Sequence, residues 1–256
     1  MFILGAIIAC VLGAAFGSFA NVVVIRLKNG EHLGGRSHCM SCKKTLSAVD
    51  LIPVVSWVML GGKCRYCRKA VHWQYPVVET VMSILTVIAY FHNTTTSGFD
   101  FVTMGFEIAL AFILVVLTTF DARWKLIPME FLIGSTILLA SWRLLTGVSW
   151  LELILGAIVI SVLLGLIVIG SRGSMMGEGD PFVGLFMGTV LGFPLALLGL
   201  LIAFIIGGSV AAALLIEGAV NRKTQIAFVP FLAAGTLIAF WWRAPLEIIV
   251  RYALGA

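Results

Sequence analysis

The sequence predicts an all-α polytopic membrane protein of about eight transmembrane helices with one small cytoplasmic loop domain. Three observations carry that expectation. The 256 residues are 61% hydrophobic and only 11% charged, with a mean hydropathy of +1.09, far from the balance of a soluble domain. Apolar runs recur at lengths close to the ~20 residues that cross a hydrocarbon core of about 30 Å. Lys and Arg are spread unevenly over the loops between those runs.

Taken in order, the runs place spans at 3–25, 76–92, 102–120, 127–145, 151–170, 182–197, 198–216 and 225–242. The first is expected to be a retained helix rather than a cleaved signal. No basic residues precede its apolar stretch, and its small residues are scattered instead of marking one cleavage site. The sixth and seventh come from a single charge-free run, 181–216, too long for one crossing. Gly192-Phe193-Pro194 is where its turn is expected, since Gly and Pro punctuate helices. The chain thereby divides into a first transmembrane helix (1–25), a polar loop domain (26–75) and a membrane core (76–256).

Orientation follows from the basic residues. The loop after the first span holds Arg26, Lys28, Arg36, Lys43, Lys44, Lys63, Arg65, Arg68 and Lys69, and alternate loops add Arg123, Lys125, Arg172, Arg222 and Lys223. Those 14 stand against Arg143, Arg243 and Arg251 on the other side. The positive-inside rule puts the long loop in the cytoplasm and both ends of the chain outside it. The net charge of +5 is thus a topological signal. No nucleic-acid-binding fold accompanies it.

The loop carries two CxxC pairs, Cys39/Cys42 and Cys64/Cys67, separated by the segment 43–63. In a reducing compartment paired CxxC motifs favour metal over disulfides. Four thiolates close a tetrahedral Zn²⁺ site of the structural kind, with no open position for substrate. The separation is just beyond the roughly 15–20 residues of a zinc ribbon, and free or redox thiols are the alternative. Cys10 sits in the first span as a small hydrophobe. Leu51–Leu60 is apolar but too short to cross, so it is expected at the interface or against the helices, with Trp57 as an anchor. His38 and His72 flank the cysteines, but four sulfurs already complete a site.

Asp121 closes the third span and Asp180 opens the sixth, both at the cytoplasmic boundary. Acids at membrane depth are costly unless paired or hydrated, which makes both functional candidates. Each also has a structural reading. Asp180 before Pro181 reads as a helix N-cap, and Asp121 as a partner for Arg123 or Lys125. Asp180 ends Gly177-Glu178-Gly179-Asp180, where the two glycines allow unusual backbone angles and close approach of another segment. Two carboxylates brought together at low dielectric share a proton. One can then activate water while the other polarises a peptide carbonyl, the chemistry of an aspartic protease.

The GxGD tetrapeptide with an upstream Asp ending an earlier helix resembles the type IV prepilin peptidases, a family of membrane aspartic proteases. Further segments are similar across nearly the whole chain: Gly17-Ser18-Phe19-Ala20-Asn21-Val22-Val23, both CxxC pairs, Ile52-Pro53 with Ser56-Trp57, and Tyr75-Pro76-Val77-Val78-Glu79. Asp121 with Leu126-Ile127-Pro128 looks like the first catalytic segment, and Pro230–Gly235 like the C-terminal signature. Met40, Lys28, Phe182 and Glu130 depart from residues common in that pattern; Phe182 replaces a frequent Lys, which bears on how nearby carbonyl or phosphate groups are held.

The resemblance implies a bacterial inner-membrane enzyme acting on type IV prepilins or pseudopilins. These are proteins with a short basic leader in the cytoplasm, cut after a Gly at the membrane boundary. Glu178 and Glu79 would attract such a leader, and the loop's own charge opposes this. It also implies N-methylation of the new amino terminus with S-adenosylmethionine, in which the cysteine domain takes part, although no Rossmann fingerprint is present. Glu79 is the first candidate for that role, with Asn21; an ion pair with a loop Arg or Lys is its structural alternative. A proton-coupled transporter using paired acids and a non-catalytic, zinc-stabilised assembly factor are the competing classes.

Overall fold

The computed structural model describes residues 2–96, 98–173, 176–219, 225–243 and 245–246, and among them it is all-helical. Arg222, Lys223 and Arg251, three of the charges that set the expected orientation, lie outside the described residues. The helices are α1 (Phe2–Asn29), α2 (Val55–Met59), α3 (Gln74–Thr96), α4 (Phe101–Trp124), α5 (Met129–Leu145), α6 (Trp150–Gly170), α7 (Asp180–Leu191), α8 (Leu195–Ile216) and α9 (Val229–Trp241). Apart from the short α2, a helix lies at each of the eight expected places. Five of them, α1, α3, α4, α6 and α8, are long and apolar enough to cross a membrane. At a rise of about 1.5 Å per residue, α7 with 12 residues and α9 with 13 are shorter than the hydrocarbon core. The expected sixth span overran its helix, which stops at Leu191. Gly192 takes φ +77°, a conformation only glycine adopts without strain, and its neighbour Phe193 donates its amide to the Glu152 carbonyl at 3.0 Å.

Contacts divide the chain into two compact units, Met1–Thr119 and Phe120–Ala256. In the first, α1 packs on α3 along Ala9, Gly13, Gly17, Ala20 and Val24. A Cβ on Gly13 would lie 2.7 Å from the Met82 carbonyl oxygen, and one on Gly17 would lie 2.6 Å from the Cα of Glu79. Lipid supplies no hydrophobic drive between helices, so small residues that let backbones touch take over that task. The α3–α4 hairpin is closed by polar contacts. The buried Asn93 side chain both accepts from and donates to the Asp100 backbone, the Asp100 carboxylate caps α4 at the Thr103 amide, and His92 Nδ1 meets Glu107 Oε1 at 2.8 Å.

The second unit repeats the glycine device twice. Here α6 packs on α7 and α8 on α9. A Cβ on Gly188 would come within 2.2 Å of the Gly156 carbonyl oxygen, and one on Gly235 within 2.3 Å of that of Gly199.

Candidate active site and metal centre

The polar loop is tied to α1 by Arg26. Its guanidinium is buried and donates to the carbonyls of His32, Leu33, Gly34, Gly35 and Arg36. This satisfies a charge that would otherwise be costly to bury. Two turns with the same construction follow. In the first, Cys39 donates its amide to the Lys44 carbonyl, Lys43 returns an amide to Cys39, Lys43 has φ +57°, and His38 bridges Thr45. In the second, Cys64, Lys69, Arg68 at φ +59° and the Lys63–Ala70 bridge occupy the matching positions. The left-handed residue falls one place after the second cysteine in each, turning the chain so that both sulfurs of a pair point inward.

All four sulfur atoms lie within 4.8 Å of one another, and Cys39 Sγ is 3.9 Å from Cys67 Sγ. Four thiolates bonded at about 2.3 Å to a tetrahedral ion need separations of this order. The donor set therefore fits a soft or borderline divalent metal. Burial raises the Cys39 thiol, but the Cys42 and Ser41 amides and neighbouring sulfurs outweigh it and bring it down to about 7. The Lys69 amide lowers Cys67, but burial and hydrogen bonds with the other three thiols push it up to about 11. A bound cation replaces such shared protons. His38 and His72 lie outside the cluster; His72 Nδ1 instead accepts the Gln74 amide at 3.0 Å.

Asp50 fastens the intervening segment to the second turn. It accepts from the Ser47 amide and hydroxyl, the Tyr66 hydroxyl and Arg65 Nε. Burial raises this carboxyl, and Arg65 with the Ser47 and Tyr66 donors more than offsets that, holding it well below the usual range. Trp57, expected as a lipid anchor, donates its indole N–H to the Val71 carbonyl at 3.1 Å and covers Gly62. Its ring braces the cysteine module, while Val55, Val58 and Met59 on α2 are the exposed side chains.

The two aspartates come together where three helix ends meet in the second unit. Asp121, on the last turns of α4, is 7% exposed and accepts the Val229 amide at the start of α9 at 3.0 Å. Asp180 opens α7, is 4% exposed, and accepts the Gly177 amide at 2.9 Å. The Asp121 carboxylate lies within electrostatic reach of Asp180. Lys125 Nζ donates to the Gln225 carbonyl at 2.6 Å, and Gln225 Nε2 to the Gly173 carbonyl at 2.7 Å, lacing the three loops together.

The N-cap reading of Asp180 does not match this arrangement, and the ion-pair reading of Asp121 matches it only in part. The N-cap of α7 is Gly179, and the Asp180 side chain reaches back to Gly177 instead of capping the helix. Asp121 takes the Val229 amide and Lys125 donates to Gln225, but Lys125 also stays within electrostatic reach of Asp121. Of the two roles expected for the glycines, close approach is the one observed. Gly179 has ordinary helical angles, φ −82° and ψ −22°, but a Cβ there would meet Ile127 Cδ1 at 2.5 Å. The Leu126-Ile127-Pro128 segment thus sits on the GxGD turn. Val229 is a site residue that sequence reasoning missed, because it contributes only a backbone N–H, which no residue type advertises.

Glu79 and Asn21 both lie in the α1–α3 seam. Glu79 is buried, with Oε2 accepting the Val54 amide at 2.6 Å and a further hydrogen bond to the Ser18 hydroxyl. It therefore meets a backbone amide and a hydroxyl in place of the loop Arg or Lys considered above. Asn21 donates to the Gly17 and Tyr75 carbonyls and accepts from Gln74 Nε2 at 3.0 Å. Its amide is committed to bracing the helix pair.

Fold and site define a polytopic helical membrane protein with a four-cysteine module and a buried carboxylate pair. The family profile described as "Bacterial Peptidase A24 N-terminal domain" matches residues 11–93. The chain is 30% identical over 280 residues to a "Prepilin leader peptidase/N-methyltransferase" of Xanthomonas campestris pv. campestris, covering 94% of this chain and 93% of that one. A protein of the same name from Bacillus subtilis is 28% identical over 251 residues, 96% and 98% of the two chains. A "Type 4 prepilin-like proteins leader peptide-processing enzyme" of Escherichia coli O78:H11 is 27% identical over 271 residues, 93% and 94%. No solved structure matches. This chain belongs to the prepilin leader peptidase/N-methyltransferase family.

Proposed function

We propose that this protein removes the basic leader from type IV prepilins or pseudopilins at the cytoplasmic face of the bacterial inner membrane and then N-methylates the new terminus. The observation that carries the first activity is the pair Asp121 and Asp180, both buried, within electrostatic reach, and gathered at three helix ends. One carboxylate, ionised, takes a proton from water as the water oxygen attacks the scissile carbonyl carbon. The other, protonated, gives its proton to the carbonyl oxygen. Collapse of the tetrahedral adduct breaks the C–N bond, and the leaving amine takes up a proton from the pair. The amides of Val229 and Gly177 hold the two carboxylates in place, and Gly177 and Gly179 form the turn that brings Asp180 in.

In this reading 26–75 is the cytoplasmic module, its four cysteines hold zinc in a structural role, and 76–256 forms the protease core. Zinc fits because a closed thiolate set with matching turns leaves no position for substrate. S-adenosylmethionine, when bound, supplies an electrophilic methyl group. Glu79 is the chain's own group suited to the amine that receives it, since a buried carboxylate attracts an ammonium and accepts its proton. Asn21 keeps α1 and α3 in register beside it. No observation favours the transporter or assembly-factor alternatives.

The test is one incubation of purified protein with a prepilin, read by mass before and after adding S-adenosylmethionine. Loss of the leader followed by gain of one methyl group is expected. An intact substrate refutes the assignment.

A further inference from the structure

Glu79 is held by a strained piece of backbone. Val54 has φ +60° and ψ −51°, and the Val55 amide donates to the Pro53 carbonyl at 2.6 Å. Together these make Pro53-Val54-Val55 a γ-turn of the rare positive-φ form. A β-branched residue is the least suited to that region. Such a conformation is strained and persists only where the surroundings over-determine it.

Those surroundings belong to the metal module. Four residues before Val54, Asp50 is tied to Arg65 and Tyr66, which lie between the two cysteines of the second turn. Three residues after it, Trp57 covers Gly62 and donates to Val71, which closes the same turn through its amide to the Gly62 carbonyl. The strained turn is therefore pinned at both ends to the Cys64/Cys67 segment, and its amide points at Glu79 Oε2.

We infer that the cysteine module reaches Glu79 through a single backbone N–H, that of Val54, making Val54 a positioning residue for methyl transfer. The inference rests on the reading of Glu79 given above. One carboxylate oxygen is fixed by Val54, so the orientation of the group toward an incoming amine depends on the integrity of a metal site it does not touch. This supplies a physical route by which a closed, substrate-free metal centre affects one activity and leaves the other alone.

Two substitutions separate the N–H from the side chain. Val54→Gly keeps the donor and adopts the positive φ of this turn without strain. Val54→Pro removes the donor and forces φ to a negative value the turn cannot use. In zinc-loaded full-length protein, Val54→Gly is expected to methylate within about twofold of wild type. Val54→Pro is expected to lose about tenfold or more in kcat for methyl transfer, the worth of one charge-assisted hydrogen bond, with KM for the donor and leader cleavage unchanged. A Val54→Pro protein that binds zinc and methylates normally overturns the inference. Should that variant lose its zinc, amide exchange on unsubstituted protein decides. Chelation is expected to speed exchange at Val54 about tenfold or more while amides of α1 and α3 stay protected; equal rates at Val54 with and without chelator overturn the coupling. Glu79→Gln distinguishes the two layers. If it methylates as wild type, the role of Glu79 fails; if it does not methylate while Val54→Pro does, only the Val54 link fails.

Discussion

The cysteine module and the carboxylate site solve the same problem, placing charged groups at set positions, by opposite means. The module is local. Its hydrogen bonds run between near neighbours within each turn, and a left-handed Lys43 or Arg68 sits at the same place in both copies. The carboxylate site is assembled over distance: the Asp121–Val229 hydrogen bond joins residues 108 apart, and Gln225 reaches back 52 residues to Gly173. A polar loop cannot build a core of its own, and the four clustered cysteines are arranged so that metal–ligand bonds could take that role. Buried acids need hydrogen-bonding partners, and here Asp121 takes its amide from the start of α9 and Asp180 from its own GxGD turn. The two regions should therefore fail independently.

The largest expected effect is on the acids. Asp121→Asn and Asp180→Asn should each lower cleavage by roughly 10³-fold or more while zinc content stays at wild type. The double variant should be no worse than either single one, since groups acting as a unit are strongly non-additive. Asn caps a helix about as well as Asp, so an active, folded Asp180→Asn enzyme, assayed on a prepilin, would return Asp180 to a structural role and sink the protease assignment.

Next is the reverse experiment. Cys64→Ser should take metal from about one zinc per chain to none by elemental analysis, and methylation should fall with it. Cleavage should persist. Equal loss of both activities would show that the regions are not separable, and unchanged zinc would refute the site.

Gly188→Ala sharpens the comparison from the packing side. Its Cβ would lie 2.2 Å from a backbone oxygen of α6, so the helices must part, at a cost of about 1–3 kcal/mol. A lower thermal midpoint and weaker cleavage at unchanged zinc content are expected.

The smallest effect belongs to Asp50→Asn. Because the folded carboxyl is held below its ordinary range, its contribution is complete above the unfolded value of about 4 and is lost only as pH falls below that. At neutral pH the variant should lower the module's melting temperature by a few degrees. The difference between the variant and wild type should vanish in strong acid, as read by thermal melts across pH.

The positions of the helices were legible because lipid imposes a length and a polarity on crossing segments: a helix lies at each of the eight apolar runs, and five of them are long and apolar enough to cross. The CxxC pairs were legible for a related reason: a metal demands particular side chains at short spacing. Asp121, Asp180 and Glu79 stood out because acids are scarce in such a chain. The turn at Gly192-Phe193-Pro194 was legible from its Gly and Pro, and α7 ends beside it at Leu191. That α7 starts only at Asp180 and is too short to cross was not, since the run 181–216 is apolar throughout and apolarity does not record how it is divided.

By itself the sequence marked which groups could carry chemistry and which segments are helical, because composition and period are properties of the chain alone. Only tertiary structure decided what those groups touch. Gly17, Gly156 and Gly235 became seams through the backbones they face. Trp57 packs over Gly62, and Asn21 hydrogen-bonds within α1 and to the Tyr75 carbonyl of α3. Main-chain amides of Val229, Gly177 and Val54 hold Asp121, Asp180 and Glu79, the last together with the Ser18 hydroxyl. Every residue but proline carries such an amide, so only the folded chain reveals which one is aimed at a carboxylate.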